Sequence, residues 1–217
     1  GLISSRRAGD TIEVPFLGEL PWVGAAFSRK RFETAETELL IETALAWLDG
    51  DGGRRDVVDV GTGSGIIAVT LASERPALHV SATDISPAAL DVARANAARH
   101  ASAVDFIETN LLDGVDGPFD LIAANLPYIP SEPLKDLPIY GREPLLALDG
   151  GPDGLRLIRT LLTDAPRVLK PGGMVLLEIE ADAGDATLGL APAAFSDATM
   201  DVLPDLAGHE RLVRIQT

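Results

Sequence analysis

No cysteine occurs among the 217 residues. That excludes disulfides and thiolate metal sites, and it suits a cytoplasmic protein. No window nears the roughly 18 consecutive apolar residues that cross a bilayer, so no membrane association is expected. The opening GLISSRRAGD lacks the apolar stretch of a signal peptide. Basic residues are also scarce. Lys and Arg number 18 against 33 Asp and Glu, a formal net charge of −15. Proteins that bind duplex or folded RNA carry the opposite imbalance, which argues against a nucleic-acid substrate. What is present is ordinary for a globular protein: 46% hydrophobic and 24% charged residues. The length fits one domain with a sizeable core, or one domain and a short appendage. Gly1 in place of Met suggests a processed or engineered start, which leaves open whether sequence precedes it.

TIEVPFLGELPWVGAAF, after a polar start, mixes β-formers with Pro and Gly and predicts irregular extended structure or a hairpin. TAETELLIETALAWL carries Leu39, Leu40, Ala44, Leu45 and Leu48 at helical spacing, with acids in the first turn and DGDGG at the end. Strands and helices then alternate. DVVDV is a strand and IIAVTLASE a helix. LHVSATDIS is a strand ending at Asp84, and SPAALDVARANAARH a helix with Ser86 as N-cap and Pro87 in the first turn. AVDFIETN and FDLIAAN are further strands. GLRLIRTLLTDAPRVL is a helix closed by KPGG, MVLLEIE a strand, and DATMDVLP with ERLVRIQT a closing hairpin. Such alternation predicts a Rossmann-like, mainly parallel sheet with helices on both faces.

The first strand leads into DVGTGSG, with Gly61, Gly63 and Gly65 in the strand-to-helix turn. Glycines there let the chain turn tightly and let a ligand approach the backbone, and this edge of an open α/β sheet is where nucleotide-like ligands bind. The alternative is a tight turn with no ligand. A dinucleotide fingerprint would want glycine where Ile66 stands, and a P-loop would want a lysine that is missing. What remains is an acid, Asp59, ahead of three alternating glycines, which resembles motif I of S-adenosylmethionine-dependent methyltransferases. Asp84 lies about twenty residues on, where a carboxylate can accept from ribose hydroxyls. A helix-capping role for Asp84 is the alternative, but Ser86 already fits it.

The fourth strand ends on Asn125-Leu126-Pro127-Tyr128. An amide or aromatic amino nitrogen is a weak nucleophile because its lone pair is delocalised. The Asn125 side-chain oxygen and the Leu126 carbonyl can each accept one N–H of an –NH2, aligning the nitrogen and favouring its developing positive charge. Pro127 fixes the turn and Tyr128 offers a stacking face. A plain strand-ending turn is the alternative. His79, His100 and His209 lie in none of these motifs, and no metal site is expected.

DVGTGSG, ATDISPAALDVARANAARH, FDLIAANLPYIP, REPLLALDGGPDGL and LKPGGMVLLEIE stand in the order seen in the HemK/PrmC family. The resemblance runs from about residue 33 to the C-terminus. It implies the class I methyltransferase fold: a seven-stranded, mainly parallel sheet with a C-terminal antiparallel hairpin, preceded by an N-terminal extension over residues 1–32. It implies S-adenosyl-L-methionine as cofactor, contacted by Asp59, Gly61, Thr62, Gly63, Ser64, Gly65, Asp84, Ile85, Asn110, Leu111 and Asn125. It implies Asn125, Leu126, Pro127 and Tyr128 as the catalytic loop, and as substrate contacts Tyr128 together with Glu143 and Pro144 of the stretch 143–155, which shapes the pocket rim after that loop. The acceptor it implies is a glutamine side chain of a peptide-release factor. The chain departs from the family in having Leu126 for a proline and Glu33-Thr34-Ala35 for Pro-Arg-Pro. Glu180 and Ala-Asp-Ala replace the family's Gly and later Gln, and the N-terminal docking domain is absent or reduced. Three alternatives stay open: a small-molecule methyltransferase of specialised metabolism, an RNA adenine methyltransferase, and a non-catalytic binding module. The loop Ser131–Arg142, with Pro133 and Pro138, is expected to act as a partly mobile lid.

Overall fold

The computed structural model describes residues 30–50, 53–142, 144–191 and 195–217, with side chains from Thr37 onward. The expected N-terminal extended segment lies outside the described residues.

Helix α1 (Lys30–Asp49) precedes β1 (Asp56–Val60), α2 (Ile66–Glu74), β2 (His79–Asp84), α3 (Pro87–Arg99), β3 (Val104–Glu108) and β4 (Phe119–Asn125). A short β5 (Ile129–Pro130), a one-turn α4 (Ser131–Leu134), a 3-10 turn (Leu145–Ala147) and β6 (Asp149–Gly151) follow. The chain closes with α5 (Arg156–Val168), β7 (Leu169–Glu178), α6 (Gly184–Leu188), β8 (Thr199–Pro204) and β9 (Glu210–Gln216). Seven strands make one sheet in the order β3-β2-β1-β4-β7-β9-β8. The first five run parallel, and β9 is antiparallel to both β7 and β8. This is the expected architecture. The order in which strands are added switches between β1 and β4, and ligands bind such sheets at the carboxyl edge of that switch point.

Two apolar layers follow from alternation along the strands. Val57, Val80, Ala82, Leu121, Ala123, Met174 and Leu176 face α1 and α2. Val58, Val60, Ile122, Ala124, Val175, Leu177 and Val213 face α5 and the loop carrying Leu111, Leu112 and Val115. Helix α2 buries Ile67 through Ala72 without a polar stripe, because the sheet, α1 and α3 surround it.

One segment differs from the sequence expectation. KPGG does not separate helix from strand but belongs to β7. Leu169 pairs with Phe119 and Met174 with Leu121, so Lys170–Gly173 bulge out between two ladder pairs. Gly172, at φ 77, provides the left-handed turn. The bulge sends the Lys170 ammonium to Asp56 (2.6 Å) and Asp120 (2.9 Å), and Asp120 also accepts the N–H groups of Arg55 and Asp56. These contacts clamp the starts of β1, β4 and β7. None of the described helices is long and apolar enough to cross a membrane.

Candidate active site

Register places the polar residues of the carboxyl edge together. Asp59 pairs with Ala82 and Ala123, and Asn125 with Glu178, so these residues share the face covered by α1 and α2. Asp84 ends β2 on the same face, two residues beyond Ala82.

The glycine loop folds over this edge. Gly61 and Thr62 donate their N–H groups to the Thr83 carbonyl at 2.9 and 2.8 Å. Gly61, Gly63 and Gly65 have φ of 73°, 57° and 85°, a region that other residues enter only at a cost. A Cβ on Gly61 would come within 2.7 Å of Leu126 Cδ2, and one on Gly65 would press on Ala93. A Cβ on Gly63 would meet nothing within 4 Å. Two of the glycines therefore allow close packing, whereas Gly63 borders an open cradle. Asn96 Nδ2 holds the Ser64 carbonyl at 2.9 Å from α3.

Asp59 is fully buried. Its Oδ2 accepts from Thr62 Oγ1 (2.6 Å) and the Ala68 N–H (3.1 Å), while Oδ1 has no hydrogen-bond partner among the described residues. Burial pushes its carboxyl up to about 6; the Thr62 hydroxyl and Ala68 N–H oppose the rise and the charge of Asp84 adds to it. A buried carboxylate with one orphan oxygen beside a glycine cradle suits a cationic ligand group such as the cofactor's ammonium. The Thr62 hydroxyl is spent on Asp59, so it orients that carboxylate.

Asp84 accepts the Gly63 N–H on Oδ2 and the Ser86 N–H on Oδ1, both at 2.8 Å. It thus pins the glycine loop to β2, and each oxygen keeps a second lone pair for a ribose hydroxyl. Ser86 caps α3 through Ala89, as expected. Ile85 is 51% exposed beside this carboxylate, an unusual position for a large aliphatic side chain and a suitable floor for an adenine ring. Asn110 is exposed on the adjoining loop, which the Thr109 N–H ties to the Asp84 carbonyl. The Leu111 side chain instead packs in the core at φ 51°, so only its main chain can face the edge.

Asn125 is half-buried at the end of β4, and its amide hydrogen-bonds none of the described residues. The Leu126 side chain is buried beneath Gly61 in the core, which joins the Asn125–Tyr128 loop to the glycine loop. Pro127 and Tyr128 are braced from behind. Ile129 donates to the Leu148 carbonyl, and β5 pairs with β6. A Cβ on Gly150 would strike the Pro127 carbonyl and Tyr128 Cα at 2.8 Å, and one on Gly154 would collide with the Tyr128 carbonyl. Asp149 fastens the brace by accepting from Ser131 Oγ (2.6 Å) and the Gly151 N–H (2.9 Å). The Ser131 hydroxyl and this N–H hold its carboxyl below the usual range. The sequence marked residues 143–155 as rim; the structure assigns Asp149–Gly154 the further task of supporting the loop. Glu143 lies outside the described residues, and Pro144 is exposed before the 3-10 turn. The expected lid segment is anchored by Ser131 and by Leu134, which is buried, while Tyr140 is exposed. His79 pairs with Asp56 at the amino end of β1 and β2, and His209 pairs with Asp205 in the β8–β9 turn, at the far side of the sheet from the glycine loop.

Sequence reasoning missed two residues here. Glu178, at the end of β7, is only 2% exposed, and Thr37 Oγ1 of α1 donates to its Oε2 at 3.0 Å. A carboxylate closing an otherwise apolar strand was the available signal.

Sheet order, hairpin and carboxyl-edge loops together define a class I methyltransferase fold. The family described as "Methyltransferase small domain" matches residues 22–135. The chain is 46% identical over 180 residues to a release factor glutamine methyltransferase from Moorella thermoacetica, covering 81% of this chain and 63% of that protein. It is 40% identical over 220 residues to one from Deinococcus radiodurans, covering 96% of this chain and 78% of that protein. Among solved structures it is similar to a ribosomal protein L11 methylase from Lactobacillus delbrueckii subsp. bulgaricus, at 25% identity and TM-score 0.57, covering 86% and 78% of the two chains. The chain belongs to the release factor glutamine methyltransferase family, as its motifs led us to expect. It spans less than two thirds of the length of the Moorella relative.

Proposed function

We propose that this protein transfers a methyl group from S-adenosyl-L-methionine to the side-chain amide nitrogen of a glutamine in a protein of the release-factor type. The cofactor, when bound, supplies an electrophilic methyl on a sulfonium. Asp59 offers its orphan oxygen to the cofactor's ammonium, and Thr62 keeps that carboxylate turned inward. Asp84 accepts from the ribose hydroxyls, the open side of Gly63 and Ser64 admits the amino-acid portion, and Ile85, Asn110 and Leu111 border the adenine.

The observation that carries the acceptor assignment is Asn125-Leu126-Pro127-Tyr128 at the edge, packed beneath Gly61 and braced by Gly150 and Gly154. Asn125 Oδ1 and the Leu126 carbonyl take the two N–H groups of the target –NH2, and Tyr128 with Pro144 lines the approach. With both N–H groups gripped, the lone pair is held along the line of attack, and the two oxygens favour the positive charge that grows on nitrogen. The bound cofactor would supply the methyl for a new N–C bond to the nitrogen held by Asn125 Oδ1 and the Leu126 carbonyl, and the surplus proton would pass to solvent, so no strong base is required. Leu126 in place of the family's proline leaves this grip intact, because only its carbonyl takes part. The names of the relatives support a protein acceptor, and the absence of cysteine suits a cytoplasmic one.

Incubation with a release factor carrying Gly-Gly-Gln and isotope-labelled cofactor tests the proposal. Label is expected on that glutamine; label confined to small molecules in a cell extract would contradict it.

A further inference from the structure

Glu178 has no part in the scheme above, yet it is the nearest strand neighbour of Asn125. The two are Cα partners on adjacent parallel strands, so their side chains leave the same face of the sheet roughly 5 Å apart at the backbone. Glu178 is nearly inaccessible, and ionisable groups so buried are rare unless paired. Its Oε2 receives the Thr37 hydroxyl from α1, 141 residues away in sequence.

We propose that Glu178 is a positioning residue for the transfer, held in place by Thr37, which sets the field at Asn125. Its carboxylate attracts the –NH2 end of the Asn125 amide and repels the oxygen, so Oδ1 turns away from Glu178 and toward the acceptor nitrogen. The same charge favours the cationic character that the acceptor gains during transfer, an effect that a low-dielectric site enlarges. Thr37, in the first half of α1, is one of the contacts that keep the carboxylate in that orientation. The inference rests on the methyltransferase reading given above.

The test compares Glu178→Gln, Thr37→Val and Thr37→Ser with the wild type, measuring kcat and KM on a release factor, cofactor Kd by calorimetry, and thermal unfolding. Glu178→Gln is expected to lower kcat about tenfold or more with cofactor Kd within about twofold. Thr37→Val is expected to lower kcat severalfold, and Thr37→Ser, which restores a donor, to recover most of it. A merely structural tie would move the unfolding temperature and leave kcat at 25 °C unchanged, and that result would overturn the inference. If Glu178→Gln does not fold, the Val and Ser variants decide by the same criterion. A wild-type enzyme that labels no protein would overturn the underlying reading and this inference with it. Wild-type labelling with unaltered variants would overturn the inference alone.

Discussion

Replacing Asp59 by Asn should make the protein more stable and a poorer cofactor binder. Oδ2 holds both hydrogen bonds of the carboxylate, so an asparagine oxygen in its place can keep Thr62 and Ala68. What changes is the charge. Burial raises the native carboxyl from its ordinary value to about 6, so above that pH folding must confine an anion in an apolar site. A native value about two pH units above the unfolded one costs about 3 kcal/mol, at about 1.4 kcal/mol per unit. The sign follows: stability is highest below the unfolded value near 4, and is lost as pH rises to about 6. Against the gain from Asn stands its amide N–H2, which occupies the orphan Oδ1 position and costs about 1–2 kcal/mol unsatisfied. The net expectation at pH 7.5 is a gain of about 1–2 kcal/mol, or about 3–6 °C in Tm for a chain of this size. The gain should shrink at pH 5, where the wild-type carboxyl is mostly protonated. Urea unfolding at the two pH values and calorimetry with the cofactor make the assay. Wild-type affinity should fall about tenfold from pH 7.5 to pH 5, and the variant should bind weakly with little dependence on pH. A variant that is less stable at pH 7.5 yet binds cofactor normally would refute the role given to Asp59.

Asn125→Ala should lower turnover by roughly 10² or more with cofactor affinity largely kept, read from single-turnover kinetics beside calorimetry. Gly154→Ala puts a Cβ against the Tyr128 carbonyl at φ 76°. It should cost about 2 kcal/mol or more in urea unfolding and reduce turnover more than cofactor binding. Asp120→Asn should destabilise by about 2 kcal/mol near neutral pH. Burial of Asp120 favours protonation, but the N–H groups of Asp56 and Arg55 and the Lys170 ammonium overcome it and hold the carboxyl below its usual range. Its contribution is therefore present above the unfolded value and lost as pH falls through the native one, so the gap to the wild type should close in acid.

Much of the sheet was legible because its strands are short apolar runs that alternate with helices. Ser86-Pro87 marked the start of α3, and FDLIAAN marked a strand that the structure buries on both faces. KPGG misled because Pro and Gly ordinarily end an element, whereas here a bulge accommodates them inside β7. At the site, Asp59, the glycines and Asn125 were readable from local spacing. The burial of Leu126 under Gly61, the Gly150 and Gly154 brace, and the Thr37–Glu178 bond were not. Each joins residues far apart in the chain, and only the crossovers of the sheet bring them together. Asp84 shows a similar gap, since its bond to the Gly63 N–H depends on loop geometry that no local pattern encodes.

The most direct measurement is a crystal structure of the enzyme with the demethylated cofactor and a glutamine-bearing segment of its protein substrate. The account predicts the amide nitrogen within hydrogen-bond distance of both Asn125 Oδ1 and the Leu126 carbonyl, facing the sulfur. An Asn125 amide turned from the sulfur, or a glutamine seated elsewhere, would contradict it.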